Sequence, residues 1–275
     1  MTVNSYLTNL ASQAIIRDAE KVSIQRSINT LRVRLNQHFG ADIKQQLIFG
    51  SYSRNTILPR SMDERSDIDY MIIFGDVNIQ PQALLNRLNR FAKKYYNSSD
   101  ISQSNPTIVL ELNHIRFELV PAYQSWWSGL QIPAPAANYE NWMDTDPNGF
   151  NDALTHKNQS NNNLIKPLAR LVKYWNASNN YIFDSYSLEQ GIVNHGFWHI
   201  GGLGLFGRNQ LKDYFFHYME SIDLEWNAAQ WRKDKVSRAQ RIILETKMLS
   251  GDPVRAETKI KQLLTPTGAM TGLLA

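Results

Sequence analysis

The chain contains no cysteine. Disulfides, thiolate zinc sites and cysteine nucleophiles are therefore excluded. It has no apolar run near the roughly 20 residues that a membrane-spanning helix needs. Met1-Thr2-Val3-Asn4-Ser5 shows no basic segment with an apolar stretch behind it, so no signal peptide is read there. These absences make a cytoplasmic protein with no membrane partner the expectation. Charge of one sign is also scarce: Lys and Arg number 29 against 25 Asp and Glu, a net charge of +4. That balance suits a small anionic ligand such as a nucleotide and argues against an extended nucleic-acid groove. What is present is ordinary for a globular chain. The 275 residues are 43% hydrophobic and 11% aromatic, enough for one large core or two lobes.

The most informative residues are Asp67 and Asp69, in Arg65-Ser66-Asp67-Ile68-Asp69-Tyr70-Met71-Ile72-Ile73-Phe74. The apolar, β-prone run after Ser66 predicts a strand, and residues two apart on a strand share a face. The two carboxylates therefore stand side by side at the start of a buried strand. Like charges that close are costly unless a cation lies between them. Mg²⁺ suits the pair, because it prefers one or two carboxylates together with phosphate oxygens, and Mn²⁺ is the alternative. Upstream, Gln46-Leu47-Ile48-Phe49 predicts a short strand ending at Gly50-Ser51. Glycine permits close backbone approach to a ligand, and a serine hydroxyl with adjacent N–H groups suits phosphate. The rival reading of Asp67-Ile68-Asp69 is a chance pairing on a solvated strand edge.

Along the rest of the chain, a long helix is expected over 5–39, broken at most once. Its stripe is Leu7, Leu10, Ala14, Ile15, Val22, Ile28, Leu31, Val33 and Leu35, and Gly40 caps its C-terminal end. Strands are expected at 45–49 and 67–74, and a helix over 81–96 opens at Pro81. A hairpin is expected over 107–112 and 115–120, ended by Pro121. Residues 125–141 read as a loop between lobes. Helices are expected over 148–158, 162–178, 185–200, 207–220, 227–249 and 253–264. The expected fold is α+β and two-lobed: a mixed-sheet catalytic lobe over 1–140, including the long N-terminal helix, and a helical lobe over 141–275.

A site with two metal ions needs a third carboxylate. Glu118, between apolar neighbours in Ile115-Arg116-Phe117-Glu118-Leu119-Val120-Pro121-Ala122, is the first candidate, and Glu111 on the partner strand is its rival. Three segments together resemble the oligoadenylate synthase and bacterial CD-NTase branch of the polymerase-β-like nucleotidyltransferases. They are Gly50-Ser51-x-x-Arg54-x-Thr56, Ser66-Asp67-Ile68-Asp69, and the acidic-Leu-Val-Pro-Ala strand that selects Glu118. Lys173-Tyr174-Trp175-Asn176, Asp184-Ser185-Tyr186-Ser187-Leu188-Glu189 and Trp142 to Pro147 resemble later segments of the same branch. The similar stretches lie between about 46 and 190, and the final 80 or so residues carry no such motif.

The resemblance implies a two-lobed nucleotidyltransferase that makes a short cyclic or linear oligonucleotide signal from nucleoside triphosphates. Its implied setting is bacterial anti-phage defence, with a downstream effector protein that binds the product. It implies that Asp67 and Asp69 hold two Mg²⁺ ions, while Glu118 holds the catalytic one and helps deprotonate the acceptor hydroxyl. It implies that Gly50 and Ser51 approach the triphosphate, that Lys173 and Ser185 grip its outer phosphates, and that Tyr186 stacks on a base. Lysine serves phosphate as a point charge and an aromatic face suits a nucleobase, so the residue types agree. Lys173 also reads as a solvated helix residue, Ser185 as a helix N-cap and Tyr186 as a core aromatic. Most of the branch has aspartate where Glu118 stands, a departure of one methylene. Two alternatives to a signal synthase remain: transfer to a tRNA or protein acceptor, and a catalytically silent nucleotide-binding module.

His195 and His199 have zinc spacing on a helix but no third ligand, so packing under Phe197 and Trp198 is expected. Arg232-Lys233-Asp234-Lys235, with Arg238 and Arg241, reads as a solvated helix face or as a patch for nucleic acid or a partner. Gly201-Gly202-Leu203-Gly204 reads as a helix break.

Overall fold

The computed structural model describes residues 2–75, 79–104, 106–125, 129–134, 141–197 and 209–264. The chain divides into two compact units. One comprises residues 16–60 and 64–152; the other comprises 1–15, 61–63 and 153–275.

The expected helix over 5–39 is two helices, α1 (Val3–Gln13) and α2 (Asp18–Phe39). No proline or glycine separates them. The break falls between two apolar stripes that serve different cores: Leu7 and Ala11 join the helical core, while Ile24, Ile28, Leu31 and Leu35 join the sheet core. Ile15, Val22 and Val33, expected on one stripe, are exposed. The first helix thus lies in the helical unit, whereas the expected division placed all of 1–140 in the catalytic lobe. Thr2 caps α1 through a reciprocal pair of hydrogen bonds with Ser5, which satisfies end groups the helix leaves open.

The sheet unit continues with β1 (Ile43–Phe49), a four-residue turn α3 (Gly50–Ser53), β2 (Asp67–Phe74), α4 (Pro81–Tyr95), β3 (Asp100–Ser104), β4 (Thr107–Glu111), β5 (Arg116–Ser125), β6 (Gly129–Pro133) and β7 (Trp142–Thr145). The strand order is β1-β2-β5-β4-β3, with β6 pairing β5 and β7. Only the β2–β5 pairing is parallel among the described strands. Period-two alternation gives the sheet two faces. Ile68, Tyr70, Ile72 and Phe74 of β2, with Phe117 and Leu119 of β5, pack under α2 and α4. Helix α4 contributes Leu84, Leu85, Leu88, Phe91 and Ala92, a stripe at helical spacing. Each large apolar side chain so buried contributes about 1.5–3 kcal/mol of gross stabilisation. The opposite face carries a small cluster of Met71, Ile73 and Ala122, with Leu47, Phe49, Leu130 and Ile132 beside it.

Two expectations fail here for tertiary reasons. Residues 129–133, within the expected loop, are a strand, because β5 runs on to Ser125 and offers them an edge; residues 142–145 then pair with that strand. Pro121 does not end β5. Antiparallel pairing with β4 stops at Leu119 and pairing with β6 begins at Tyr123, so the missing N–H of Pro121 falls in the gap. Strand β3 was not anticipated.

Helix α5 (Pro147–Ser160), which begins in the sheet unit and passes into the helical unit after residue 152, is followed by α6 (Ile165–Ser178), α7 (Ser185–Asn194), α8 (Leu211–Ser221), α9 (Gln230–Met248) and α10 (Pro253–Leu264). The core of the helical unit gathers Leu168, Leu171, Val172 and Trp175 of α6 with Ile192, Phe215, Met219, Ile243 and Ile260. Arg170 is buried and its Nε donates to the carbonyl of Ala11, tying α6 to α1. Burial lowers its pKa to about 10, so it stays protonated at neutral pH. Helix α7 was expected to reach residue 200 but ends at Asn194, where His195 turns extended. His199 and Gly201 to Gly204 lie outside the described residues. No described helix is long and apolar enough to cross a membrane.

Candidate active site

The second face of the sheet gathers the acidic residues. Asp67 and Asp69 project there because their alternates Ile68 and Tyr70 are fully buried in the core on the other side. The parallel register sets Asp69 opposite Glu118 and Asp67 opposite Arg116. Phe117 and Leu119 pack on the core face, so Arg116 and Glu118 share the face of the two aspartates. Three expected carboxylates thus stand on adjacent strands of one sheet face.

Gly50 adjoins them. It follows β1, whose last residue, Phe49, is in register with Asp69. Its φ is +69°, a left-handed conformation that favours glycine. A Cβ at Gly50 would lie 1.6 Å from Asp69 Oδ2 and 2.9 Å from Asp69 Cβ. The Gly-Ser turn and the paired aspartates are therefore in direct contact, and the contact exists only because residue 50 has no side chain. Ser51 follows, half-buried, in the first turn of α3, which no side chain caps. Its carbonyl accepts from the Thr56 N–H at 3.0 Å and from the Ile57 N–H at 3.1 Å, which folds the loop back on itself. Arg54 is buried, lies over the Phe150 ring at 5.0 Å and donates to Asn151 Oδ1 at 3.5 Å. The Arg54 and Thr56 positions of the motif therefore hold the loop's shape.

The two glutamates are held differently. Glu118 accepts from Arg116 at 2.5 Å, both side chains about one-fifth exposed. Glu111, on the same face of β4, is paired with Arg60, which also donates to the carbonyl of Glu64 at 2.7 Å. Among the described residues, no group of three or more His, Asp or Glu side chains stands ready as a metal site. The donor set itself fits Mg²⁺ or Mn²⁺, since every candidate ligand is a carboxylate oxygen and two of them share a strand face. Arg116 was missed by sequence reading. The signal that could have found it is the same alternation that paired the aspartates, because it lies two residues before Glu118.

The other expected residues lie in the helical unit. Lys173 is not a solvated helix residue. It is 5% exposed, and its Nζ meets Oε1 of the equally buried Glu189 at 3.1 Å. Ser185 is not the N-cap of α7. Asp184 fills that place, accepting from the Ser187 N–H at 2.7 Å, and Ser185 is the first helical residue, exposed. Tyr186 is not a core aromatic, being 45% exposed. His195 packs against Phe197, as expected, with ring centroids 4.7 Å apart, and its Nε2 lies 2.8 Å from His217 Nδ1. Burial, then His217 and Lys157, lower its pKa. A cavity of about 430 Å³ in this unit is lined by Asn4, Gln210, Lys212, Phe216 and Lys247 among others, and by none of the expected residues.

The family described as Second Messenger Oligonucleotide or Dinucleotide Synthetase domain matches residues 1–158. A cyclic AMP-AMP-AMP synthase of Acinetobacter is 27% identical over 158 residues, which cover 55% of this chain and 45% of that protein. The chain thus spans under half the length of that relative. A probable cyclic nucleotide synthase of Bacillus cereus is 23% identical over 271 residues, covering 80% of this chain and 78% of the relative. The solved structure of the Vibrio cholerae cyclic AMP-GMP synthase DncV with nonhydrolyzable GTP superposes with a TM-score of 0.74 at 13% identity. It covers 96% of this chain and 95% of that one, a likeness that shows the α+β polymerase-β-like fold.

Proposed function

This chain belongs to the Second Messenger Oligonucleotide or Dinucleotide Synthetase family, and from that premise we propose that it is a metal-dependent nucleotidyltransferase building a short oligonucleotide signal from nucleoside triphosphates. The observation that carries the reading is the register of the parallel pair, which stands Glu118 beside Asp69 on the face that also holds Asp67. The acceptor hydroxyl oxygen attacks the α-phosphorus in line, the bond to the bridging oxygen breaks, and pyrophosphate leaves. The hydroxyl proton passes to a carboxylate, Glu118 in this reading.

Asp67, Asp69 and Glu118 would hold Mg²⁺, which when bound supplies charge neutralisation to the attacking and leaving oxygens. The remaining work is positioning. Gly50 brings the backbone beside Asp69, and Ser51 presents its hydroxyl and N–H to the triphosphate. Ser185, with an exposed hydroxyl, and Tyr186, with an exposed ring, are the helical unit's candidates for phosphate and base. Lys173 serves there only if its ammonium leaves Glu189. Family membership also supports a bacterial defence setting in the cytoplasm, with an effector protein that binds the product.

One observation favours a second reading, a silent nucleotide-binding module: Glu118 is already engaged by Arg116. A single experiment separates the two. The protein is incubated with the four NTPs, and separately the four dNTPs, with Mg²⁺ or Mn²⁺, and the products are analysed by mass spectrometry. An oligonucleotide and pyrophosphate, both lost in Asp69→Asn while its melting is unchanged, establish the synthase. Nucleotide-dependent stabilisation without pyrophosphate release establishes the silent module.

A further inference from the structure

We propose that Arg116 is a resident counter-ion of the acidic face, holding Glu118 until a divalent cation displaces it and so setting the cation concentration at which the site fills. The inference rests on the metal-site reading of Asp67, Asp69 and Glu118. The β2–β5 register sets Arg116 opposite Asp67 and, two residues on, Glu118 opposite Asp69. A guanidinium therefore stands within the row of carboxylates.

The way Arg116 is bonded distinguishes it from the other arginine of this face. Arg60 is fully employed as a brace: it pairs with Glu111 and also donates to the carbonyls of Glu64 at 2.7 Å and Leu112 at 3.5 Å. Arg116 reaches Glu118 Oε1 through one terminal nitrogen at 2.5 Å, while its Nε is buried with no hydrogen-bond partner. An arginine kept for structure normally uses its planar fork on both sides. An N–H buried and idle marks an arrangement that is not the best this side chain can make. Both side chains keep about one-fifth of their surface exposed, so exchange of partner needs no opening of the core.

Electrostatics gives the arrangement its use. Close carboxylates repel, and either a guanidinium or a divalent cation relieves the repulsion. The two compete for Glu118, because a guanidinium paired with the carboxylate offsets its negative charge and so weakens its pull on a cation. Removing Arg116 leaves the acidic face more negative and Glu118 without this partner. Cation affinity then rises, whereas simple structural damage at this position lowers it.

The test is calorimetric titration of Mn²⁺ into the full chain without nucleotide, on the parent protein, Arg116→Met, Arg116→Gln, Arg116→Lys and Asp69→Asn. Arg116→Met and Arg116→Gln are expected to bind Mn²⁺ about tenfold more tightly than the parent. Arg116→Lys, which keeps the charge but not the fork, should fall between. Without metal the neutral variants melt lower than the parent, and Mn²⁺ restores them. Affinity equal to or weaker than the parent's in whichever neutral variant folds overturns the inference, as does binding detectable in neither. Mn²⁺ binding unchanged by Asp69→Asn overturns the metal-site reading beneath it, a distinct result.

Discussion

Gly50→Ala is the substitution whose consequence the structure specifies most closely. Two separate penalties meet at this residue. The backbone φ of +69° is strained for alanine, at about 1–2 kcal/mol. The added methyl also lies 1.6 Å from Asp69 Oδ2 and 2.4 Å from its Cγ. To reach even 3.0 Å the carboxylate oxygen must retreat by about 1.4 Å, and the 2.9 Å approach to Asp69 Cβ means that β2 itself must give slightly. A misplacement of about 1 Å at a reacting centre costs about 100-fold in rate. The carboxylate can swing aside, so the fold is expected to survive with a melting point lowered by about 2–8 °C. Activity, read as pyrophosphate release, should fall 100-fold or more. Gly129→Ala is the control. Its φ of +78° carries the same backbone strain, but among the described residues nothing lies within 4 Å of the added Cβ. It should lower the melting point similarly and leave turnover within about threefold of the parent. Gly50→Ala with turnover as high as Gly129→Ala would refute the claim that Asp69 must stand where it does.

Two further outcomes follow from the ion pairs. Glu118→Gln should lower turnover about 100-fold or more with little change in melting. Glu111→Gln, which loses a pair about one-third exposed with Arg60, should cost about 1 kcal/mol in stability and leave turnover standing; the reverse pattern moves the third carboxylate to β4. Glu189→Gln alone strands the buried Lys173 charge and should cost about 3–5 kcal/mol in urea unfolding, while the double variant with Lys173→Met is nearer the parent. If that folded double variant keeps an unchanged KM for ATP, Lys173 does not reach phosphate.

How much of this was legible beforehand depends on the range of the interaction. The strand over 67–74 and the shared face of Asp67 and Asp69 follow from local alternation, as does the pattern of α4 under Pro81. The helices over 147–160, 165–178, 230–248 and 253–264 lie within a few residues of expectation, because apolar spacing is itself local. A resemblance resting on short motifs pointed to the family that residues 1–158 match. Periodicity could also say that residues 5–39 were helical. It could not say that Leu7 and Ile24 belong to different cores, and hence that the helix breaks between them.

What only the tertiary structure decided is which residues become neighbours across the sheet and across the helices. Glu111 and Glu118 have the same local pattern. The parallel pairing of β2 with β5 puts Glu118 beside Asp69 and leaves Glu111 with Arg60. Lys173 read in sequence as a phosphate ligand or a solvated helix residue, and only the fold shows Glu189, sixteen residues on, paired with it in the core. Strand register and buried ion pairs are settled by long-range packing, where one residue of slip exchanges the faces of a whole strand. The amino-acid sequence by itself determined the strand, the glycine that suits a left-handed turn and the two aspartates on one face. The fold alone decided that the glycine touches Asp69 and that an arginine stands among the acids, because each contact joins segments that local periodicity cannot relate.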